Sequence, residues 1–163
     1  MTFLNPTVPL LLAALLTCAD GSTVEMKFSG ISTPFFGPEG RLTHRLTAAE
    51  GRLAEGQQQL KGVEVAYFSA TDPAVVIQRV TATEAMWDAG KKILTGSGAI
   101  AVSSGENQLI GEGFDFALGT SLLHIHRNFT MTNPEVRLTS DRATVELVVE
   151  RGSEKVKFRD VRR

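Results

Sequence analysis

The stretch RVTATEAMWDAGKKILTGSGAIAV, Arg79–Val102, decides the fold because it repeats a pattern already present in the chain. Displaced by 34 residues, it aligns without a gap with RLTAAEGRLAEGQQQLKGVEV, residues 45–65. Each copy contains an alternating run, a polar turn with a central glycine, and a second alternating run that ends at Gly62 or Gly96. This plan predicts a β-hairpin used twice. Such a period is typical of stacked supersecondary units that cannot bury an apolar face alone.

The rest of the chain continues the same alternation. Two weaker copies follow, LIGEGFDFALGTSLLHI at 109–125 and RLTSDRATVELVVERG at 137–152. Apolar residues at helical spacing are absent over any long window, and the one helix candidate, Ala82–Gly90, is interpreted as strand and turn. Strands of about five to eight residues with regular turn signals predict an antiparallel all-β sandwich or barrel-like fold. An ordinary β-sandwich, whose strands look alike because all strands alternate, is the alternative to true repeats.

Composition and charge set the broad class of the protein. The chain has 163 residues, of which 42% are hydrophobic and 21% charged, as expected for a folded domain. Its formal net charge of −1 provides no strong positive field, which argues against a nucleic-acid partner. Cys18 is the one cysteine, so no intramolecular disulfide can form.

The first residues differ in composition from all that follow. The apolar run VPLLLAALL, residues 8–16, is shorter than the roughly 20 residues that span a bilayer, but it suits the centre of a secretory signal. Residues 1–19 are therefore predicted to be a signal peptide or lipoprotein leader, with one domain over 20–163. Cleavage falls either after Ala19 or before Cys18, with a lipid on the Cys18 sulfur in the second case. A buried hydrophobic N-terminal helix is the alternative to export.

Three stretches carry a resemblance to a known family. They are PEGRLTHRLTAAEGRL from Pro38, RVTATEAMWDAGKKILTGSGAIAV from Arg79, and LIGEGFDFALGTSLLHIHRNFTM from Leu109. Together they resemble the periplasmic lipopolysaccharide-transport proteins, the LptC-like and OstA/LptA-like family, over about Phe28 to Val149. The LptC-like type fits best, because the segment that begins at Phe28 looks like the entry segment of that type.

The resemblance implies both a fold and a role. The implied fold is a twisted, V-shaped antiparallel β-jellyroll, open at its edges and built from repeated hairpins. The implied role is that of a non-enzymatic periplasmic protein that holds the acyl chains of lipopolysaccharide in an apolar groove. Implied partners are other jellyroll proteins of the export bridge and the inner-membrane ABC transporter complex. LptC-like proteins often keep an N-terminal membrane helix, and in this chain a lipid on Cys18 would anchor the protein to the membrane instead.

The alternation provides an independent basis for a lipid groove. A sheet with one apolar face covers it either with a second sheet or with a ligand's acyl chains. Apolar burial contributes roughly 25 cal/mol per Å² without a directional requirement. The alternative is that the in-phase apolar residues are simply core, in a closed β-repeat assembly module of the cell envelope without a lipid ligand. The candidate lining residues are Leu46, Val80, Leu94, Val102, Leu123, Ile125, Phe129 and Val145.

Edge strands provide a second means of interaction. The unpaired backbone of an edge strand can accept a strand from another chain. The predicted edges are Val24–Ser29 and the basic run Glu154–Val161. The basic side chains of the second edge either meet phosphates of a lipid headgroup or form a solvated edge that prevents aggregation.

The remaining residues show little site chemistry. His124 and His126 lie two apart on one predicted strand face, as two zinc ligands could, but no cysteine or carboxylate pair completes a metal site. Ser121 lacks the second glycine of a nucleophile elbow. We therefore predict no catalytic residue, no metal and no cofactor.

Overall fold

The computed structural model describes residues 25–54 and 57–147, and these residues form a single antiparallel sheet without a helix. Alternating apolar and polar side chains place one face of each strand inward, as period-two patterning requires. The strands are β1 (Met26–Phe36), β2 (Leu42–Ala54), β3 (Gln57–Phe68), β4 (Val76–Asp88), β5 (Ile93–Ser104), β6 (Asn107–Ala117), β7 (Leu122–Thr132), β8 (Arg137–Ser140) and β9 (Ala143–Glu146).

The strands follow one another across the sheet in chain order. β1 to β8 are consecutive neighbours, and β9 pairs with β7 beside β8. Three of the four predicted repeats are the hairpins β2–β3, β4–β5 and β6–β7. The described part of the fourth, residues 137–147, is not a hairpin, because β8 and β9 each pair with β7 rather than with each other. Within the described residues, β1 pairs only with β2, so the sheet is open rather than closed into a barrel. The prediction of an antiparallel, open, all-β fold of repeated hairpins is confirmed.

The predicted strand length was wrong. Strands β1 to β7 are 11 to 13 residues long. Gly62 and Gly96 lie inside β3 and β5 instead of ending a run. The physical reason is a change of phase within one strand: Leu60 and Val63 are both buried although they are three residues apart. One long strand with such a phase change looks like two short strands in the sequence.

These phase changes coincide with a row of interrupted pairing that crosses the sheet, which we call the crease. On β1, for example, Ser29 and Ile31 have partners on β2 while Gly30 is skipped. Gly30, Gly62 and Gly113 have φ values of +67°, +60° and +65°, which glycine adopts without a Cβ clash. The crease also separates β8 from β9. β8 pairs with the C-terminal half of β7, and β9 pairs with its N-terminal half. The crease residues are Gly30, Ala49, Gly62, Thr83, Ser97, Gly98, Gly113 and Asn128.

The bent sheet turns back on itself and encloses its apolar face. Phe35 of β1 meets Trp87 of β4 with ring centroids 6.3 Å apart, although these strands are not neighbours. The Tyr67 hydroxyl of β3 donates to Ser121 Oγ, in the turn between β6 and β7, over 3.1 Å. The core therefore lies between two halves of one sheet.

Gly96, beside the crease, is predicted to be intolerant of a side chain. An added Cβ would lie 2.7 Å from Phe114 Cζ and 3.0 Å from the Glu84 backbone oxygen. Phe114 is fully buried, so neither neighbour can move aside easily. Gly96→Ala is expected to lower the free energy of unfolding by about 1–3 kcal/mol, measured by urea denaturation.

Gly98 provides the matched control on the same strand. A Cβ at Gly98 meets no heavy atom within 4 Å. Gly98→Ala is expected to change the free energy of unfolding by less than about 0.5 kcal/mol. Equal effects of the two substitutions would contradict the close approach of Gly96 to Phe114.

Candidate functional site: the interior and the aromatic clasp

The predicted lining residues all lie on the inner face and are buried. None of them is more than 3% exposed, and all belong to the main hydrophobic cluster. The structure therefore brings the predicted set together, but as packed core rather than as a groove open to solvent. The residues in question are Leu46, Val80, Leu94, Val102, Leu123, Ile125, Phe129 and Val145.

Cross-strand pairing arranges most of these residues in two continuous apolar rows. Directly opposed residues on neighbouring strands have Cβ atoms roughly 5 Å apart, so each row is an unbroken apolar surface. One row crosses β2 to β8 on one side of the crease, and the other crosses β4, β5, β6, β7 and β9 on the opposite side. The first row is Leu46, Val65, Val80, Val102, Leu109, Met131 and Leu138, and the second is Trp87, Leu94, Phe116, Leu123 and Val145.

One end of the interior is closed by a group of aromatic side chains, which we call the aromatic clasp: Phe35, His44, Tyr67 and Trp87, with Ser121. Phe35 stacks on His44 at 4.5 Å between centroids, and His44 stacks on Tyr67 at 5.0 Å. Trp87 approaches Phe35 edge-on, at an interplanar angle of 86°. Such pairs contribute about 0.5–1.5 kcal/mol each beyond their buried area. The clasp joins β1, β2 and β3 to β4 and to the β6–β7 turn.

The hydrogen bonds around His44 define its tautomer. Thr43 Oγ1 donates its proton to the Phe35 carbonyl oxygen over 3.1 Å. Thr43 Oγ1 must therefore accept the 3.0 Å hydrogen bond that it shares with His44, so His44 Nδ1 carries the proton. His44 Nε2 is then a bare acceptor, buried and without a hydrogen-bond partner in the structure. Burial, followed by the charge of Lys92, lowers the pKa of His44 from 6.5 to about 4, which keeps the ring neutral.

A short row of buried polar side chains continues from the clasp across the inner face. His44 is opposite Tyr67, and Tyr67 is opposite Gln78. Burial raises the pKa of Tyr67 to about 12, against the opposing effect of its bond to Ser121, so the phenol stays protonated. Gln78 is buried with its Nε2 unpaired, and Ser104 Oγ donates to the Ile77 carbonyl oxygen over 3.4 Å. The row is uncharged and sits where the apolar interior ends.

Sequence reasoning did not assign a role to this row. His44 and Gln78 occur in phase with apolar residues of their strands, in the runs around Leu46 and Val80. A polar residue in phase with an apolar run is the signal that could have identified them. Their proximity to Trp87 and Ser121 could not be read from the alternation.

The two histidines predicted as weak metal-ligand candidates share the outer face and have other partners. His126 Nε2 lies 2.8 Å from Asp115 Oδ2, and His124 Nδ1 lies 2.9 Å from Thr144 Oγ1. Over 25–54 and 57–147, no group of three or more histidine, cysteine or acidic side chains is placed to hold a metal ion. Cys18 and the basic run Glu154–Val161 lie outside the described residues.

A hollow on the outer face follows the crease. It has a volume of 660 Å³ and is lined on β3 to β7 by small residues with Glu64 and Glu112 at its sides. Ile110 is its exposed apolar residue. Two of its polar residues bond to each other, since Asn128 Nδ2 donates to Glu112 Oε2 over 3.1 Å.

No family model matches the chain, and no curated protein matches it significantly. In the part of the chain that the structure describes, no helix has the length and apolar character needed to cross a membrane. The described architecture is thus that of an all-β protein with an open sheet and an enclosed apolar interior.

Proposed function

We propose that this chain is a non-enzymatic periplasmic component of the lipopolysaccharide export bridge. It would bind acyl chains of lipid A against its inner face and dock edge to edge with partner jellyrolls. In this proposal the open sheet is a twisted, V-shaped jellyroll, and export depends on the leader at residues 1–19. A lipid on Cys18 is the proposed membrane anchor, and the inner-membrane ABC transporter complex is a proposed partner.

The observation that carries this proposal is an open sheet with one continuous apolar face. The two apolar rows extend across nearly every strand, so acyl chains could lie along them without a specific hydrogen-bond pattern. Apolar contact contributes roughly 25 cal/mol for each Å² removed from water. Because most residues of the two rows are buried in the structure, a lipid can lie along the rows only when the two halves of the sheet separate.

The edge strand β1 supports the docking part of the proposal. None of its residues is buried, and within the described residues its outer side pairs with no strand. Pro34, which has no backbone N–H, is tolerated in such a position. An edge of this kind can accept a strand from a partner sheet.

A second candidate function is a closed assembly module of the cell envelope with no lipid ligand. The observation that favours it is the burial of every predicted lining residue, as expected for ordinary core. The two candidates share edge docking and differ in whether a lipid enters the interior.

Photo-crosslinking in cells separates these two candidates. A photoreactive residue is placed in turn at the inward positions Leu46 and Leu123, and at their outward neighbours Thr47 and His124. The export proposal expects lipopolysaccharide adducts at the inward positions and none at the outward ones. If the folded, exported protein forms no adduct at either inward position, the closed assembly module is correct instead.

A further inference from the structure

The aromatic clasp joins parts of the sheet that are distant along the strand order. The Tyr67–Ser121 hydrogen bond joins β3 to the β6–β7 turn, and the Phe35–Trp87 contact joins β1 to β4. The backbone ladders of the described residues run only between adjacent strands. Separation at the clasp would therefore leave each strand paired with its neighbours.

The closed clasp also carries unfavourable features that opening would relieve. His44 Nε2 and Gln78 Nε2 are buried without hydrogen-bond partners, which is costly in an apolar interior. Both groups would gain water once the clasp separates. The packed core and the clasp contacts hold the closed arrangement, and these two unpaired groups oppose it.

We propose that the aromatic clasp is the gate of the apolar interior. The gate opens by separation of Tyr67 from Ser121 and of Phe35 from Trp87, and it closes by restacking, with the strand ladder intact throughout. Its use as an entrance for acyl chains rests on the proposed function, whereas the opening itself is a property of the fold.

Thiol labelling inside the gate measures the opening directly. Val65 lies on the inner face two residues from Tyr67, is fully buried and is close in volume to cysteine. The full chain carrying Cys18→Ser and Val65→Cys is treated with a thiol reagent at low urea concentration. When closing is faster than labelling, the labelling rate is proportional to the open population.

Tyr67→Phe is the test variant, because it removes the hydroxyl bond to Ser121 and keeps the ring. The labelling rate is expected to rise about fivefold, the effect of losing one typical hydrogen bond. Thr144→Val is the matched control, since it removes the 2.9 Å bond to His124 on the outer face between the adjacent strands β7 and β9. The control is expected to leave the labelling rate at low urea unchanged.

Two labelling results would contradict the gate. One is an equal increase in labelling rate in Tyr67→Phe and Thr144→Val. The other is a labelling rate that rises with urea concentration as steeply as the rate expected from global unfolding. Trp87 is the chain's one tryptophan and lies in the clasp, so its quenching by acrylamide gives a second readout without the cysteine. Quenching is expected to increase in Tyr67→Phe and not in Thr144→Val, and no difference would count against the gate. No lipid is present in either measurement, so failure here is distinct from failure of the crosslinking experiment.

Discussion

Replacing Phe129 with alanine is expected to lower the free energy of unfolding by about 3–5 kcal/mol. Phe129 is 1% exposed and is among the largest fully buried side chains. Its strand, β7, pairs with β6 on one side and with β8 and β9 on the other, so the backbone cannot collapse into the space that the ring leaves. The loss combines reduced apolar burial with the cost of the cavity. Urea denaturation of the two proteins measures it.

Phe36→Ala is the matched control, because it makes the same chemical change at a surface position. Phe36 is 62% exposed at the end of the edge strand β1. Its truncation is expected to change the free energy of unfolding by less than about 1 kcal/mol. If Phe129→Ala lowered the free energy of unfolding no more than Phe36→Ala does, Phe129 would not be packed core and would instead line a solvent-filled groove. This pair of variants therefore tests the central ambiguity of the sequence, core against groove.

Acid is expected to destabilise the protein through His44. The pKa of His44 is lowered to about 4 in the folded protein, against 6.5 for an ordinary histidine. When folding lowers the pKa of a base, the neutral base contributes fully to the stability of the folded state at pH values above its ordinary pKa. That contribution is lost as pH falls from 6.5 towards 4, because the unfolded chain binds the proton first. A shift of this size corresponds to a loss of about 3 kcal/mol in the free energy of unfolding.

His44→Phe is expected to remove this part of the pH dependence. A phenylalanine can stack between Phe35 and Tyr67 as the imidazole does, but it does not titrate. Carboxylates contribute equally to both proteins, so the difference between their curves of unfolding free energy against pH isolates His44. For Lys92→Met, the slope of unfolding free energy against pH should lie between those of wild type and His44→Phe, since this substitution removes the charge that helps to lower the pKa of His44. Parallel curves for wild type and His44→Phe would contradict burial of a neutral ring in the clasp.

Alternation along the chain was enough to predict an all-β fold and which apolar side chains point inward. Val80 and Val102 repeat the inward phase of their strands, and each is buried opposite the other. Such predictions succeed because side chains on a strand point to opposite faces in turn, whatever the strand pairs with. The repeat of 34 residues similarly predicted successive hairpins, because each copy contains its own turn.

Strand length was beyond the reach of the same reasoning. Gly62 looks like the end of a strand because the inward phase changes there, yet β3 continues through it. A left-handed glycine can serve equally in a turn or in a bend within a strand, and the local sequence does not distinguish the two. Only the pairing with both neighbouring strands shows that β3 bends there rather than ends.

By itself, the sequence determined an all-β protein of successive hairpins with one apolar face, since alternation and turns are local properties of the chain. Tertiary structure alone decided where the bent sheet meets itself. Tyr67 and Ser121 are separated by 54 positions, and no local pattern relates them. Their hydrogen bond exists because the crease bends every long strand and brings the two halves of one sheet face to face.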